Sequence, residues 1–253
     1  MQDSLRKVGV LRKVLPTIVA VGLIGSAAAQ TQSAVPNASL VRTVEGRYEN
    51  RDLKGGRVIG VETFRMTAYA DGSRCLLIWS NTATRGTQIS AHVCVDRQYR
   101  PTDAFARYWV NGAYRGAAWI SVDTADLTLT STVGGAATSQ SVPLPAIFSI
   151  GTHPVSGDGW HAAAFGAGRS GTSQSFTLTP TGDRSTPLGG QFVPLQIEQL
   201  ATERLTVPAG SFDTRRIRLS GRADYWVLED DWLVVKSGGS ESERVLVSLS
   251  RSN

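Results

Sequence analysis

Cysteine, methionine and histidine are scarce in this 253-residue chain, with two, two and three copies. Lysine is scarcer still beyond the first thirteen residues, where only Lys54 and Lys236 remain. Two cysteines are too few for a cysteine-rich zinc module, and Cys75 and Cys94 are too far apart for a C-x-x-C redox motif. There is no G-x-S-x-G nucleophile elbow and no H-E-x-x-H pair. No apolar run reaches the roughly 20 residues needed to span hydrocarbon. No internal repeat is visible, and no segment patterned as a helix is long enough to dominate.

What is present begins with a leader. Arg6, Lys7, Arg12 and Lys13 precede an apolar run from Val14 to Ile24, and Ser26-Ala27-Ala28-Ala29 follows it. That order of basic, apolar and small residues predicts a secretory signal over residues 1–29. A membrane anchor is the competing reading, but Pro16, Thr17 and Gly22 interrupt the run. No cysteine follows the small residues, so the lipid attachment point of a bacterial lipoprotein is missing. Cleavage after Ala29 predicts a soluble periplasmic chain beginning at Gln30. Residues 30–38 read as a flexible lead-in and 39–253 as one β-rich domain, large enough to bury a core.

The net charge of +5 belongs largely to the leader, whose four basic residues and one acidic residue account for +3 and leave +2. The remaining arginines are interspersed with carboxylates, which argues for a mixed solvated surface and against a nucleic-acid partner.

Beyond the lead-in the pattern is that of short strands. Val41–Asn50 and Arg57–Ala70 flank a glycine pair. Arg74–Ser80 and Gln88–Val95 flank a polar, glycine-containing connection. Centring that hairpin between Thr84 and Arg85 sets Cys75 opposite Cys94, Leu77 opposite His92 and Trp79 opposite Ser90. Opposed strand residues are at disulfide distance, so a Cys75–Cys94 bridge is expected in an oxidising compartment. Ala104–Val110 and Tyr114–Val122 flank Asn111-Gly112, a pair suited to a tight turn. Leu127, Leu129 and Ser131 continue the period of two. Residues 143–169, rich in Pro, Gly and Ala, read as a loop with one short helix across a face of the sheet. Strands return in Phe176–Leu178, Phe192–Val207, around Ile217 and Leu219, in Tyr225–Leu228 and Trp232–Val235, and at Val245, Val247 and Leu249. The fold class these strands predict is mainly β, one continuous antiparallel sheet with a short helix or loop lying across one face.

Two segments carry a resemblance. Residues 203–217, with Val207-Pro208-Ala209-Gly210-Ser211 at their centre, then Asp224-Tyr225-Trp226-Val227 and Leu233-Val234-Val235-Lys236, resemble the C-terminal part of the periplasmic family called domain of unknown function 3108. Glu45-Gly46-Arg47-Tyr48 with Gly60-Val61-Glu62 and Phe64 is similar to its opening hairpin, and the segment from His153 to Trp160 occupies the place of its central loop. The resemblance implies kinship with periplasmic lipoprotein carriers, in which a curved sheet wraps an apolar cavity. It implies a strongly curved antiparallel sheet, a half-open β-barrel with a short helix or loop as lid, holding a lipid-like ligand, and it supplies no catalytic residues. The Gly/Ala-rich middle departs from the family's longer helices.

Candidate chemistry is sparse. Ser156, Asp158 and His161 lie on one loop, whereas triads gather their members from separate elements, so Asp158 reads as a helix cap. His92, His153 and His161 would have to converge with a carboxylate to bind metal, and no spacing supports it. The carboxylates of Glu229-Asp230-Asp231 and Glu241-Ser242-Glu243 read as turn residues with local hydrogen bonds. No catalytic residue, cofactor or metal is assigned. The six tryptophans are the remaining signal. Aromatics in a β domain are mostly core, yet a curved, unclosed sheet leaves a concave face to be filled. The expectation is an apolar pocket there, bordered by Trp79, His92, Trp109, Trp119, His153 and Trp160, with Trp119 and Trp160 as ligand contacts. A carrier of an apolar or amphipathic molecule is the leading reading. A lyase or isomerase of the same architecture and a structural envelope protein are the alternatives.

Overall fold

The computed structural model describes residues 39–82, 86–133, 135–166, 168–179, 187–220, 223–239 and 241–252, all within the unit Pro36–Asn253. The leader and the lead-in lie outside the described residues, as do 83–85 of the cysteine hairpin's turn.

The first half is a meander of eight antiparallel strands, each beside the next: β1 (Leu40–Asp52), β2 (Val58–Tyr69), β3 (Arg74–Thr82), β4 (Thr87–Val95), β5 (Pro101–Val110), β6 (Ala113–Val122), β7 (Asp126–Val133) and β8 (Ala136–Pro143). The second half is β9 (Phe148–Gly151), α1 (Asp158–Ala163), β10 (Gly171–Thr179), β11 (Gly189–Val207), β12 (Gly210–Leu219), β13 (Ala223–Val227), β14 (Val234–Gly238) and β15 (Ser242–Ser252). The chain joins its two halves by pairing β15 with β1, giving one fifteen-stranded sheet with β8 and β9 at its edges.

The sheet is curved and unclosed. Its far strands return toward the first half, where β9 meets β5 and β11 meets β7. Gln140 on β8 donates its side-chain N–H to the Gly190 carbonyl at 3.0 Å. Gly190 permits this approach, because a Cβ there would stand 2.4 Å from Phe176 and 3.3 Å from Leu129. The expected half-open barrel is therefore what forms.

The hairpin registers follow the sequence pattern. Cys75 pairs with Cys94, Leu77 with His92 and Trp79 with Ser90. Asn111 and Gly112 take φ of 51° and 73°, the left-handed pair of a two-residue turn that matches strand twist. Three features were not read from the sequence. β8 is exposed along most of its length and carries no large apolar residue to mark it. β9 is only four residues long. The pairing of β9 with β10 is parallel, since the chain crosses between them through a 3-10 turn (Val155–Gly157) and α1.

Alternation decides the core. On β2 the inward set contains Phe64, Met66 and Ala68, on β3 Leu76 and Ile78, and on β5 Ala104, Ala106 and Tyr108, all buried. α1 covers this concave face with Trp160, Ala162 and Ala163. A Cβ on Gly159 would lie 1.9 Å from the Trp232 carbonyl, so only glycine lets the helix seat against the turn between β13 and β14. Asp231 in that turn corrects an expectation. Instead of hydrogen-bonding locally at the surface, it is fully buried and paired with Arg42, with Arg74 Nε at 3.8 Å.

Candidate functional site

Toward the β3–β4 hairpin the inward side chains shrink. Phe64 and Met66 give way to Glu62 and Gly60, and Leu76 and Ile78 to Ser80 and Thr82. The volume they leave is a cavity of about 470 Å³, within the range of small-molecule sites. Ile89, Tyr108 and Leu178 supply its apolar wall, and Glu62, His153 and Arg244 its charged or titratable groups.

Glu62 ties the cavity to the lid. Its carboxylate accepts the backbone N–H groups of Val155 at 3.0 Å and Ser156 at 2.8 Å, at the start of the 3-10 turn. Burial raises its pKa, against the Ser156 hydroxyl, the two N–H groups and the Arg244 charge, which lower it. His153 takes a positive φ of 74° and places Nε2 2.8 Å from the Leu178 carbonyl, with its ring edge-on to Tyr108 at 6.2 Å. A non-glycine residue in that backbone region is uncommon and concentrates at functional sites.

Behind Glu62 lies a second polar group. The Asp158 carboxyl is pushed up to about 8 by burial and by Glu62, with Arg244 and the hydrogen-bonded Tyr225 hydroxyl opposing. His161 is pushed down to about 4 by burial. Its Nδ1 is 2.6 Å from Ser149 Oγ, and its Nε2 is 3.8 Å from Asp158. At neutral pH both side chains are therefore mainly uncharged, which suits a packed polar layer beneath the lid. The N-cap of α1 is Gly157, and Asp158 stands instead as the acidic residue of its first turn.

The residues expected to border one concave pocket do not share a face. Trp79, His92, Trp109 and Trp119 alternate with the inward positions and stand on the outer side of β3–β6. There Trp79 meets Trp109 at 5.6 Å, Trp109 meets Tyr114 at 5.5 Å and Phe105 meets Trp119 at 5.6 Å, with Arg107 over the Phe105 ring at 5.2 Å. Phe105, Trp109, Tyr114 and Trp119 wall an open groove of about 520 Å³ floored by Ala117, with Arg107, Thr130 and Thr132 also lining it. Trp79 and Trp119 remain 43% and 54% exposed. Trp160 is neither on that groove nor on the cavity. It is buried in the lid, packed edge-on to Tyr99 at 6.0 Å, and donates its indole N–H to the Asp231 carbonyl at 2.9 Å.

Of the six, only His153 reaches the concave cavity. Strand phase separates the two sets: odd-numbered Trp79 is opposite to even-numbered Leu76 and Ile78, and the aliphatic face is the one the fold buries. The same rule would have found Glu62, a carboxylate in phase with Phe64 and Met66 on one strand face. Arg244 carried no comparable mark, because it reaches the cavity only through the β1–β15 pairing.

No family model matches the sequence, and neither does any curated protein. Among solved structures, the chain is similar to a β-barrel-like protein of domain of unknown function 1849 from Brucella abortus. The identity is 9% and the TM-score 0.48, over 85% of this chain and all of that one. It is also similar to a putative exported protein with a YmcC-like fold from Bacteroides fragilis, at 10% identity and TM-score 0.28, over 83% of this chain and 94% of the other. The half-open barrel rests on its own strand pairing. Among the described residues no helix is long and apolar enough to cross a membrane.

Proposed function

We propose that the chain is an exported periplasmic protein, cleaved near Ala29, that binds an amphipathic small molecule in the concave cavity. The observation that carries this is the loss of side-chain volume at one end of an otherwise packed interior, with Glu62 and Arg244 in the space left. An apolar wall with a few placed polar groups is the usual composition of a ligand site. Ile89, Tyr108 and Leu178 would take the apolar body. Arg244 would meet an anionic or strongly polar head.

A second reading has its own observation, the outer groove. Its walls are aromatic and partly solvent-exposed, and contiguous exposed apolar surface of this kind marks interaction sites. On that reading Trp119, Trp109 and Trp79 contact the ligand on the convex face.

One titration separates the two. Laurate displaces a fluorescent anionic amphiphile from the wild type, and the affinities of Ile89→Trp, Arg244→Ala and Trp119→Ala are compared. Loss of at least tenfold in the first two with Trp119→Ala unchanged supports the cavity. The reverse pattern supports the groove. No saturable binding by the wild type would leave the structural reading.

A further inference from the structure

The cysteine hairpin places more than a disulfide on its outer face. Cys75 and Cys94 are directly opposed, with Cα atoms 4.1 Å apart and their sulfurs bonded. His92 is two residues before Cys94 on β4, so its side chain leaves the same face. Its Nε2 lies 3.6 Å from Cys94 Sγ. The two sulfurs and an imidazole nitrogen all fall within 4.8 Å of one another. On the next strand Asp103 is the register partner of Cys94, and its Oδ2 accepts from the Thr102 hydroxyl at 3.2 Å.

This is the donor set of a zinc site held closed by a bond between two of its ligands. With Zn–S near 2.3 Å and Zn–N near 2.0–2.1 Å, a tetrahedral ion needs a sulfur and a nitrogen about 3.6 Å apart and two sulfurs about 3.8 Å apart. The first separation is already present. A stapling disulfide has no use for an imidazole at its sulfur, yet the His92 Nε2 sits against the Cys94 sulfur.

We propose that the reduced form of this hairpin binds one zinc ion through Cys75, Cys94 and His92, with the fourth position open to Asp103 or water. A dithiol reductant supplies two electrons and two protons, closing to its own disulfide as Cys75–Cys94 opens to two thiols. Metal binding then releases both thiol protons to solvent, and the neutral imidazole binds without a proton change. Two thiolates and an imidazole suit a borderline-soft ion such as zinc. The disulfide and the metal complex are mutually exclusive, so the site senses reductant and zinc together.

The test uses the full mature chain. Protein reduced with dithiothreitol and desalted under argon is titrated with cobalt(II), a spectroscopic stand-in for zinc. One equivalent should produce thiolate-to-cobalt charge-transfer absorption and tetrahedral d–d bands that zinc abolishes, while oxidised protein gives neither. His92→Ala, which keeps both cysteines and the bridge, should weaken binding at least tenfold. Far-ultraviolet circular dichroism follows the fold of the reduced protein in parallel. The proposal is overturned if reduced and oxidised protein bind cobalt alike, or if His92→Ala binds as the wild type does. Loss of the native fold on reduction also overturns it, because the site depends on the β3–β4 register.

Discussion

The Glu62 carboxylate on β2 accepts the backbone N–H of Ser156, 94 residues later, at 2.8 Å. With the matching bond from Val155, it anchors the crossing segment to the concave face of the sheet. A carboxylate is suited to this place because it accepts two amide protons that no strand or helix partner takes.

Removing it should therefore be costly. Glu62→Ala leaves two buried N–H groups without their acceptor, and the expected loss is about 2–4 kcal/mol, against about 1–2 kcal/mol for Glu62→Gln, which retains one acceptor oxygen. Urea denaturation of both variants measures it. Equal stability of Glu62→Ala and wild type would show that the segment is held by packing alone.

The buried polar layer sets a pH dependence. Asp158 titrates near 8 when folded and near 3.8 unfolded, so the folded state holds the extra proton between those values and stability falls as pH rises through the window. His161, near 4 folded and 6.5 unfolded, does the opposite, and stability rises from about 4 to 6.5. The two offset each other below 6.5. Above it the Asp158 loss is no longer offset, roughly 1–2 kcal/mol by pH 8, allowing for the 19% of its side chain that solvent reaches, and Glu62, whose pKa burial also raises, acts in the same direction. Thermal melts across pH 6 to 9 should show the decline, and Asp158→Asn should flatten it.

The Cys75–Cys94 bridge closes a loop with a sequence separation of 19. Unfolded, unreduced protein should present no free thiol, and reduction should cost about 2–4 kcal/mol. Thiol titration before and after reduction, with denaturation of each form, checks both numbers. Two reactive thiols at the outset would exclude the bridge.

Tryptophan substitutions should separate sharply by face. Trp160→Ala opens a void in the lid and strands the Asp231 carbonyl, with an expected loss of about 3–5 kcal/mol. Trp119→Ala, at a half-exposed outer position, should change stability by less than about 1 kcal/mol. Comparable losses for the two would mean that the outer groove is packed in solution.

Much of this was legible in the strands. The hairpin register that joins Cys75 to Cys94 follows from period-two alternation and the placement of a turn, both local properties, and the Asn111-Gly112 turn follows from the backbone freedom of two residues. The mainly β character follows from the same short-range signals repeated along the chain, whereas the curvature was implied only by the family resemblance. What sequence could not decide is which side of each strand faces the core. Alternation separates two faces without saying which is buried, and the aromatic-rich face of β3–β6 turned out to be the outer one. The pairing of β15 with β1, which brings Arg244 toward Glu62, and the burial of Asp231 against Arg42 join residues nearly two hundred positions apart. Their partners are chosen only when the curved sheet folds back on itself and each buried charge must find one within reach.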